Sequence, residues 1–326
     1  MRAIVISRYG GPEVLAETEL PDPVPGDNEV RIRIRAFGLN HVECYFRSGA
    51  WGEVAQVTGI ECAGVVEADQ SGTYQPGTPV VAILGGMGRT RNGSYAELVT
   101  VPVSNVAAVG VELDWEVMAA VPEVFATAWS ALHLNLDIRA GQRVLVRGAT
   151  SAVGQAAVQL AAAEGCAVVA TSRSDRRADL LHQLGAGEVL IDDGSLADQL
   201  RSGSGPVERV VDLIGNSALR DTLTCLERDG RVCQVGFLGG LGPVENFVPL
   251  FDLPTGVQLS LYASALVLGS TAYPLAEVPL DAIFEQVVAG KLHGEPARVF
   301  SIDEIVEAHR VLEAGTAGGK MVVRTP

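Results

Sequence analysis

From about residue 116 onward, short apolar runs alternate with amphipathic ones, and this alternation limits the fold more than any other feature of the chain. RVLVRG, AVVAT, EVLID, VERVVDL and RVCQVGF read as strands. Between them lie GQAAVQLAAAEG, SDRRADLLHQLG, SLADQLRS and NSALRDTLTCLERDG, which read as helices, most of them stopped by glycine. Strand–helix alternation sustained over more than a hundred residues predicts a parallel, doubly wound α/β sheet.

The flanking segments follow another pattern. In EVRIRIRAFG, Val30, Ile32, Ile34 and Ala36 alternate with Arg31, Arg33 and Arg35. That period of two predicts a strand with an aliphatic core face and arginines paired with surface acids on the other. GVVEA and PVVAIL are further strands, and PDPVPGDN is an extended connector. After Pro254 the alternation ends. VQLSLYAS reads as a strand, PLDAIFEQVVAGKL as a helix, SIDEIVEAHRVLEAG as a helix opened by a Ser301/Glu304 capping box, and KMVVR as a final strand. A chain of 326 residues exceeds the usual limit of one core. The expected layout is a β-rich domain over 1–117, a nucleotide-type domain over 118–254, and a return to the first domain over 255–326.

The formal net charge is −15, with no block of Lys or Arg. Nucleic-acid binding is excluded on that ground, since neutralising phosphates needs a basic stripe. Five cysteines without a C-x-x-C pair read as reduced thiols of a cytoplasmic protein. MRAIVISRYGG reads as a strand and not a signal peptide. No apolar run stands out as long enough to cross a bilayer, so a soluble protein without a membrane partner is expected.

RGATSAVGQAAVQLAAAEG, residues 147–165, follows a strand and opens a helix. Ala149, Ser151 and Gly154 stand at the spacing of a G-x-G-x-x-G phosphate loop. Small residues at the first two positions let backbone approach a pyrophosphate, and the helix N-terminus offers N–H groups and partial positive charge. A plain strand–helix turn is the alternative. About twenty residues on, an NAD site would carry an acid for the ribose hydroxyls. Here stand Ser172, Arg173, Arg176 and Arg177. Hydroxyl and guanidinium groups suit a 2′-phosphate, which favours NADP(H) over NAD.

The ordered segments GGPEVL, RAFGLNHVECYFRSG, GIECAGVV, GSYAELVTVP, PEVFATAW, GATSAVG and GKMVV resemble the zinc-independent, zeta-crystallin-like quinone oxidoreductases. These form a branch of the medium-chain dehydrogenase/reductase superfamily. The resemblance implies a GroES-like catalytic domain split around a Rossmann domain, with the nicotinamide in the cleft between them. It places Asn40 and Tyr45 in the reaction cleft and Thr127 at the carboxamide. The loop Ala149, Thr150, Ser151, Ala152, Val153 and Gly154 would hold the pyrophosphate, and Ser172, Arg173 and Arg177 the 2′-phosphate. Leu213 to Gly215, with Gly236, Phe237 and Leu238, would wall the nicotinamide. Two segments depart from the family pattern. LIDD, with Asp193, replaces a tyrosine-bearing segment near the 2′-phosphate, and SALVLGSTAYPLAEVP (264–279) is expected to shape the substrate pocket.

Where zinc-dependent relatives carry ligands, this chain has Asn40, Ile60 and Glu123, and its five histidines are scattered. A catalytic zinc needs three ligands and an open position. The expected chemistry is therefore metal-free hydride transfer from NADPH to a quinone or conjugated enone, with Tyr45 or solvent as proton donor and Asn40 orienting the substrate or the nicotinamide. Cys44 lacks a partnered base and reads as core. Two other readings stay open: an enoyl-thioester or polyketide enoyl reductase, and a non-catalytic NADPH-binding structural protein. By the same resemblance a homodimer is expected, paired through the apolar strand VQLSLYA (257–263).

Overall fold

The computed structural model describes residues 1–326, which divide into two compact units: Met1–Ala126 with Ala265–Pro326, and Thr127–Ser264. The first unit starts with β1 (Arg2–Ile6), β2 (Leu15–Glu19), β3 (Glu29–Leu39), α1 (His41–Ser48), β4 (Glu61–Asp69) and β5 (Pro79–Ile83). It continues through β6 (Leu98–Pro102), β7 (Val106–Ala108), α2 (Trp115–Ala120) and the start of α3 (Pro122–Trp129). The second unit runs β8 (Arg143–Arg147), α4 (Ala152–Ala163), β9 (Ala167–Ser172), α5 (Ala178–Gln183), β10 (Glu188–Ile191) and α6 (Leu196–Ser202). It then runs β11 (Val207–Asp212), α7 (Leu219–Thr224), β12 (Leu226–Gln234), α8 (Pro249–Asp252) and β13 (Gln258–Leu261). The chain returns to the first unit with α9 (Ser264–Val267), α10 (Leu280–Val288), β14 (Arg298–Ser301), α11 (Ile305–Ala314) and β15 (Met321–Arg324).

In the first unit a seven-stranded sheet has the order β14-β15-β3-β4-β5-β7, with β6 also on β3, and β1 pairs with β2. The alternation in β3 puts the aliphatic residues inside as its sequence predicts, and two of the three arginines, Arg31 and Arg33 but not the exposed Arg35, pair with an acid. Val30, Ile32 and Ile34 are buried in the core, while Arg31 pairs with Glu67 at 2.7 Å and Arg33 pairs with the same carboxylate. Gly64 of β4 is needed where the two strands shift register, because a Cβ there would overlap the Arg33 carbonyl. β15 lies antiparallel on the far end of β3, with Met321 opposite Leu39. That register brings Lys320 to Asn40. The Ser301/Glu304 capping box forms, and Gly315 stops α11 in the left-handed conformation.

The second unit is a six-stranded parallel sheet in the order β10-β9-β8-β11-β12-β13. Counting from β8, this is the Rossmann order 3-2-1-4-5-6. Two elements differ from the sequence expectation. The run read as one helix through Gly230 stops at Thr224; Leu226 already pairs opposite Val207 in β12, and a register shift follows. VQLSLYAS, assigned to the return segment, supplies β13 as the sixth strand of this sheet. α8 is only four residues long, too short to show a helical period, yet β13 still pairs in parallel with β12.

One expectation about apolar length is corrected. The helical run Trp115–Asn135, which includes a π-helical turn over Ser130–Asn135, is 21 residues long and apolar enough to cross a bilayer. Its length is hidden in the sequence because α2 and α3 meet at Pro122. Its apolar window is 83% buried inside the protein, as for a core helix. All five cysteines are free; Cys44, Cys62, Cys225 and Cys233 are buried and Cys166 is partly exposed.

Candidate active site

The first cluster of candidate residues surrounds the β3–α1 junction. Asn40 leaves β3 in extended conformation and caps α1, and its backbone N–H donates to Glu43 Oε2 at 2.9 Å. The Asn40 side chain is buried among charges. Its Nδ2 donates to Glu61 Oε1 at 2.9 Å, and its Oδ1 accepts from Lys320 Nζ at 2.6 Å. Lys320 also pairs with Glu61 Oε1 at 2.5 Å, while Glu61 Oε2 accepts the Glu123 backbone N–H at 3.0 Å. Gly38 leaves room for this pair: a Cβ there would strike Glu61 Oε1 and lie 2.7 Å from Lys320 Cε.

Behind the turn lies a second buried set. Glu43 Oε1 accepts the Ile60 N–H at 3.1 Å, and Glu43 Oε2 accepts the Tyr95 hydroxyl at 2.7 Å. The same hydroxyl is 2.9 Å from His309 Nε2. While Glu43 is ionised this hydroxyl donates to it and accepts from an Nε2–H of His309. Burial pushes the Glu43 carboxyl up to about 7, moderated by hydrogen bonds from Asn40 and Tyr95 and by the Lys320 charge. Burial drives His309 the other way, to about 3. Arg47, fully buried on α1, donates to the Gly10 carbonyl at 2.7 Å and pairs with Glu313.

Tyr45 follows one turn along α1. It is half-buried, with His41 edge-on at 5.1 Å between ring centroids. Partial burial raises its hydroxyl above the ordinary tyrosine range, so it stays a donor at neutral pH. Cys44 is buried and its thiol is pushed up to about 12, as fits a core residue and not a nucleophile. The structure thus joins Asn40 to Glu61, Lys320 and Glu43, and sets Tyr45 against His41. No group of three or more His, Cys, Asp or Glu side chains has metal-holding geometry.

The second cluster lies at the carboxyl ends of the strands of the second unit. β8 ends at Arg147, and Gly148 takes φ +83° to turn the chain toward α4. The Gly148 N–H donates to Thr171 Oγ1 at 3.0 Å and the Ala149 N–H to the Thr171 carbonyl at 3.2 Å. Ser151 caps α4: its hydroxyl accepts the Gly154 N–H at 3.2 Å and donates to the Gly148 carbonyl at 2.9 Å. Thr150 carries the turn, and Ala152 and Val153 head the helix with amides that have no acceptor inside it. A Cβ on Gly154 would lie 2.5 Å from the Gly148 oxygen, so the close helix–strand contact depends on that glycine. Across the sheet, Cβ atoms on Gly215 and Gly236 would come 2.5 Å from the Gly236 oxygen and 2.7 Å from the Leu213 oxygen respectively. The buried Leu213, the half-buried Phe237 and the exposed Leu238 belong to this second lip. Such a cradle fits a dinucleotide pyrophosphate.

Ser172 is buried at the end of β9. Arg173 and Arg176 are exposed and Arg177 is half-buried, and none of the three forms an ion pair. The two acids of LIDD are both engaged by the protein. Arg147 grips Asp192 through two bonds of 2.7 and 2.8 Å. Asp193 accepts from the Ser195 hydroxyl and amide and from Gln199, which lower its pKa. Arg147 also meets Asp221 at 2.8 Å and Thr222 at 2.9 Å, and Thr222 in turn bonds the buried Asp212. Asp212 holds the Ile214 and Gly215 amides at 2.8 and 2.9 Å, fixing the second lip. Thr127 is buried on α3.

The sequence reading missed Glu43, Glu61, Tyr95, His309, Lys320 and Arg147. A partial signal was present: GIECAGVV and GKMVV each place a single charge inside an apolar strand context, where an ion is costly unless paired.

A Rossmann sheet with this loop, in one chain with a GroES-like unit, defines the class of nicotinamide-dinucleotide oxidoreductases. Residues 26–111 match the family model "Alcohol dehydrogenase GroES-like domain", and residues 152–277 match "Zinc-binding dehydrogenase". The chain is similar to a human quinone oxidoreductase, 29% identical over 99% of this chain and 97% of the relative. A mouse quinone oxidoreductase is 32% identical over 75% of each. Among solved structures, a mycobacterial protein complexed with NADPH superposes with a TM-score of 0.87 at 28% identity, covering 99% of both chains. An NAD-dependent alcohol dehydrogenase gives 0.84 at 29% identity, covering 100% of both. The chain belongs to the quinone oxidoreductase family of the medium-chain dehydrogenase/reductase superfamily.

Proposed function

We propose that the protein reduces a quinone or conjugated enone with NADPH and without a metal. The observation that carries this reading is the make-up of the α1 turn: a carboxamide, a phenol and an ammonium–carboxylate pair. The carboxamide and the phenol can donate hydrogen bonds to an oxygen that gains negative charge, and the buried ion pair holds the carboxamide. It offers no trio of metal ligands, and the Glu61 carboxylate is already neutralised by Lys320. A quinone or enone needs less help than an alcohol would, because conjugation makes it a ready hydride acceptor.

When bound, the dinucleotide supplies the hydride. The cradle of Ala149, Thr150, Ser151, Ala152, Val153 and Gly154 would hold its pyrophosphate, and Thr127 would meet the carboxamide end. Leu213, Gly236, Phe237 and Leu238 would border the nicotinamide. Ser172, Arg173 and Arg177 would hold the 2′-phosphate; Arg173 and Arg177, left unpaired while Arg147 takes Asp192 and Asp221, support NADP(H). Asn40 orients the acceptor through its Nδ2 edge, and Tyr45 hydrogen-bonds the oxygen that gains charge and hands it a proton. Tyr45, refilled from solvent, would supply the proton that completes the hydroquinone or, through the enol, the saturated ketone.

The working form is a homodimer. β13 is an edge strand with exposed Leu259 and Leu261, and Leu250 and Phe251 on the preceding α8 are 81% and 83% exposed. An apolar edge of this kind suits pairing with its own copy.

The decisive assay follows NADPH consumption with quinones, enones and enoyl thioesters, alongside NADH and a strong chelator. Chelator-resistant turnover of quinones or enones that prefers NADPH is the expected result. Turnover confined to thioesters would move the acceptor class, and NADPH binding without turnover would remove the catalytic reading.

A further inference from the structure

We infer that Lys320 is a positioning residue that fixes which edge of the Asn40 carboxamide faces the reactants, an inference that rests on Asn40 acting in the proposed reduction. An ammonium only donates hydrogen bonds and a carboxylate only accepts them. Lys320 Nζ lies 2.6 Å from one end of the Asn40 amide, and Glu61 Oε1 lies 2.9 Å from the other. Only one orientation satisfies both, with Oδ1 toward Lys320 and Nδ2 toward Glu61. The flipped amide would set NH₂ against an ammonium and oxygen against a carboxylate. Both ions are buried, with side-chain exposures of 5% for Lys320 and 1% for Glu61. The flip is therefore opposed in a medium that screens charge poorly.

The rest of the network holds the clamp in place. Glu61 is pinned from its other oxygen by the Glu123 N–H at 3.0 Å. Lys320 precedes β15, whose first residue is registered against Leu39, the neighbour of Asn40. The Asn40 main chain is tied separately by Glu43. With one Nδ2–H committed to Glu61, the amide keeps a single second N–H. That is the donor an acceptor oxygen meets, always from the same edge. Lys320 touches Asn40 and Glu61, and its effect on the reaction runs through Asn40.

The test combines kinetics with the amide itself. Lys320→Met should lower kcat about 10- to 100-fold while the acceptor KM moves less than about threefold. Lys320→Arg should keep most of the activity. The double variant Asn40→Ala/Lys320→Met should be no slower than Asn40→Ala alone. Lys320→Met/Glu61→Gln removes both buried charges together, so no ion is orphaned, and should show the same kcat loss with near-UV circular dichroism retained. In ¹⁵N-asparagine-labelled protein, the Asn40 side-chain amide pair should exchange slowly in wild type and Lys320→Arg and quickly in both Lys320→Met proteins. Losses in Asn40→Ala and Lys320→Met that multiply, or an Asn40 amide unchanged by Lys320→Met, would overturn the inference. If the wild type reduces no acceptor, the proposed function falls, and the amide spectra still decide the positioning.

Discussion

Glu43 and His309 share one hydroxyl: Tyr95 donates to the carboxylate at 2.7 Å and stands 2.9 Å from the imidazole. Burial moves the two groups in opposite directions, Glu43 up to about 7 and His309 down to about 3. Between about pH 4.5 and 6.5, the folded protein keeps a proton on Glu43 that the unfolded chain has lost, and it lacks one on His309 that the unfolded chain has gained. The first favours folding as pH falls and the second opposes it, each by about 1.4 kcal/mol per pH unit, so they offset. His309→Gln should therefore become more stable than wild type, relative to its own value at pH 7, as pH falls through this window. Glu43→Gln should become less so. Denaturant melts of the two variants should give pH slopes that differ in opposite directions from wild type; slopes of one sign would refute the assignment.

Arg173 and Arg177 carry no ion pair, so removing them should leave the fold intact. Arg173→Ala/Arg177→Ala is expected to weaken NADPH binding about tenfold or more, as loss of charge-assisted bonds to a phosphate does. NADH affinity should stay within about twofold. Fluorescence titration with both dinucleotides measures this, and equal losses for the two would place the arginines elsewhere.

Gly154 has no space for a side chain. In Gly154→Ala the added methyl would lie 2.5 Å from the Gly148 oxygen and 2.7 Å from the Ala149 Cα, backbone atoms that do not yield easily. A stability loss of about 1–3 kcal/mol is expected, together with weaker dinucleotide binding. Thermal melts with and without NADPH report both effects.

The exposed edge strand β13 should govern assembly. Leu259→Lys with Leu261→Lys places charges on that strand and is expected to give a monomer by sedimentation velocity, with NADPH affinity retained. A dimer that survives the double substitution would locate the interface on another surface.

The Rossmann sheet was legible because its strands announce themselves as apolar runs divided by helices that stop at glycine. The exceptions are instructive. Leu226–Gly230 follows a helix without a break in composition, and only its partner Val207 makes it a strand. VQLSLYAS follows a helix of four residues, so nothing local ties it to the sheet it completes. The α1 turn was legible only in part. Asn40, Glu43 and Tyr45 stand in one contiguous motif, whereas Glu61 and Lys320 reach Asn40, and Tyr95 with His309 reaches Glu43, through pairings that span the first unit. A single charge within an apolar strand shows that a partner exists without saying which residue it is.

The pairing of β15 with β3 has a consequence for biosynthesis. The second unit is one continuous stretch, Thr127–Ser264, and a domain generally folds as a unit as it leaves the ribosome. The first unit is different: its sheet takes β14 and β15 only after that whole stretch has been translated. A nascent chain stalled before residue 320 would already own a dinucleotide fold, yet its Asn40 amide would be free to turn. Truncated products would thus carry Asn40 without the ammonium that meets its Oδ1, and β15 would bring that partner in.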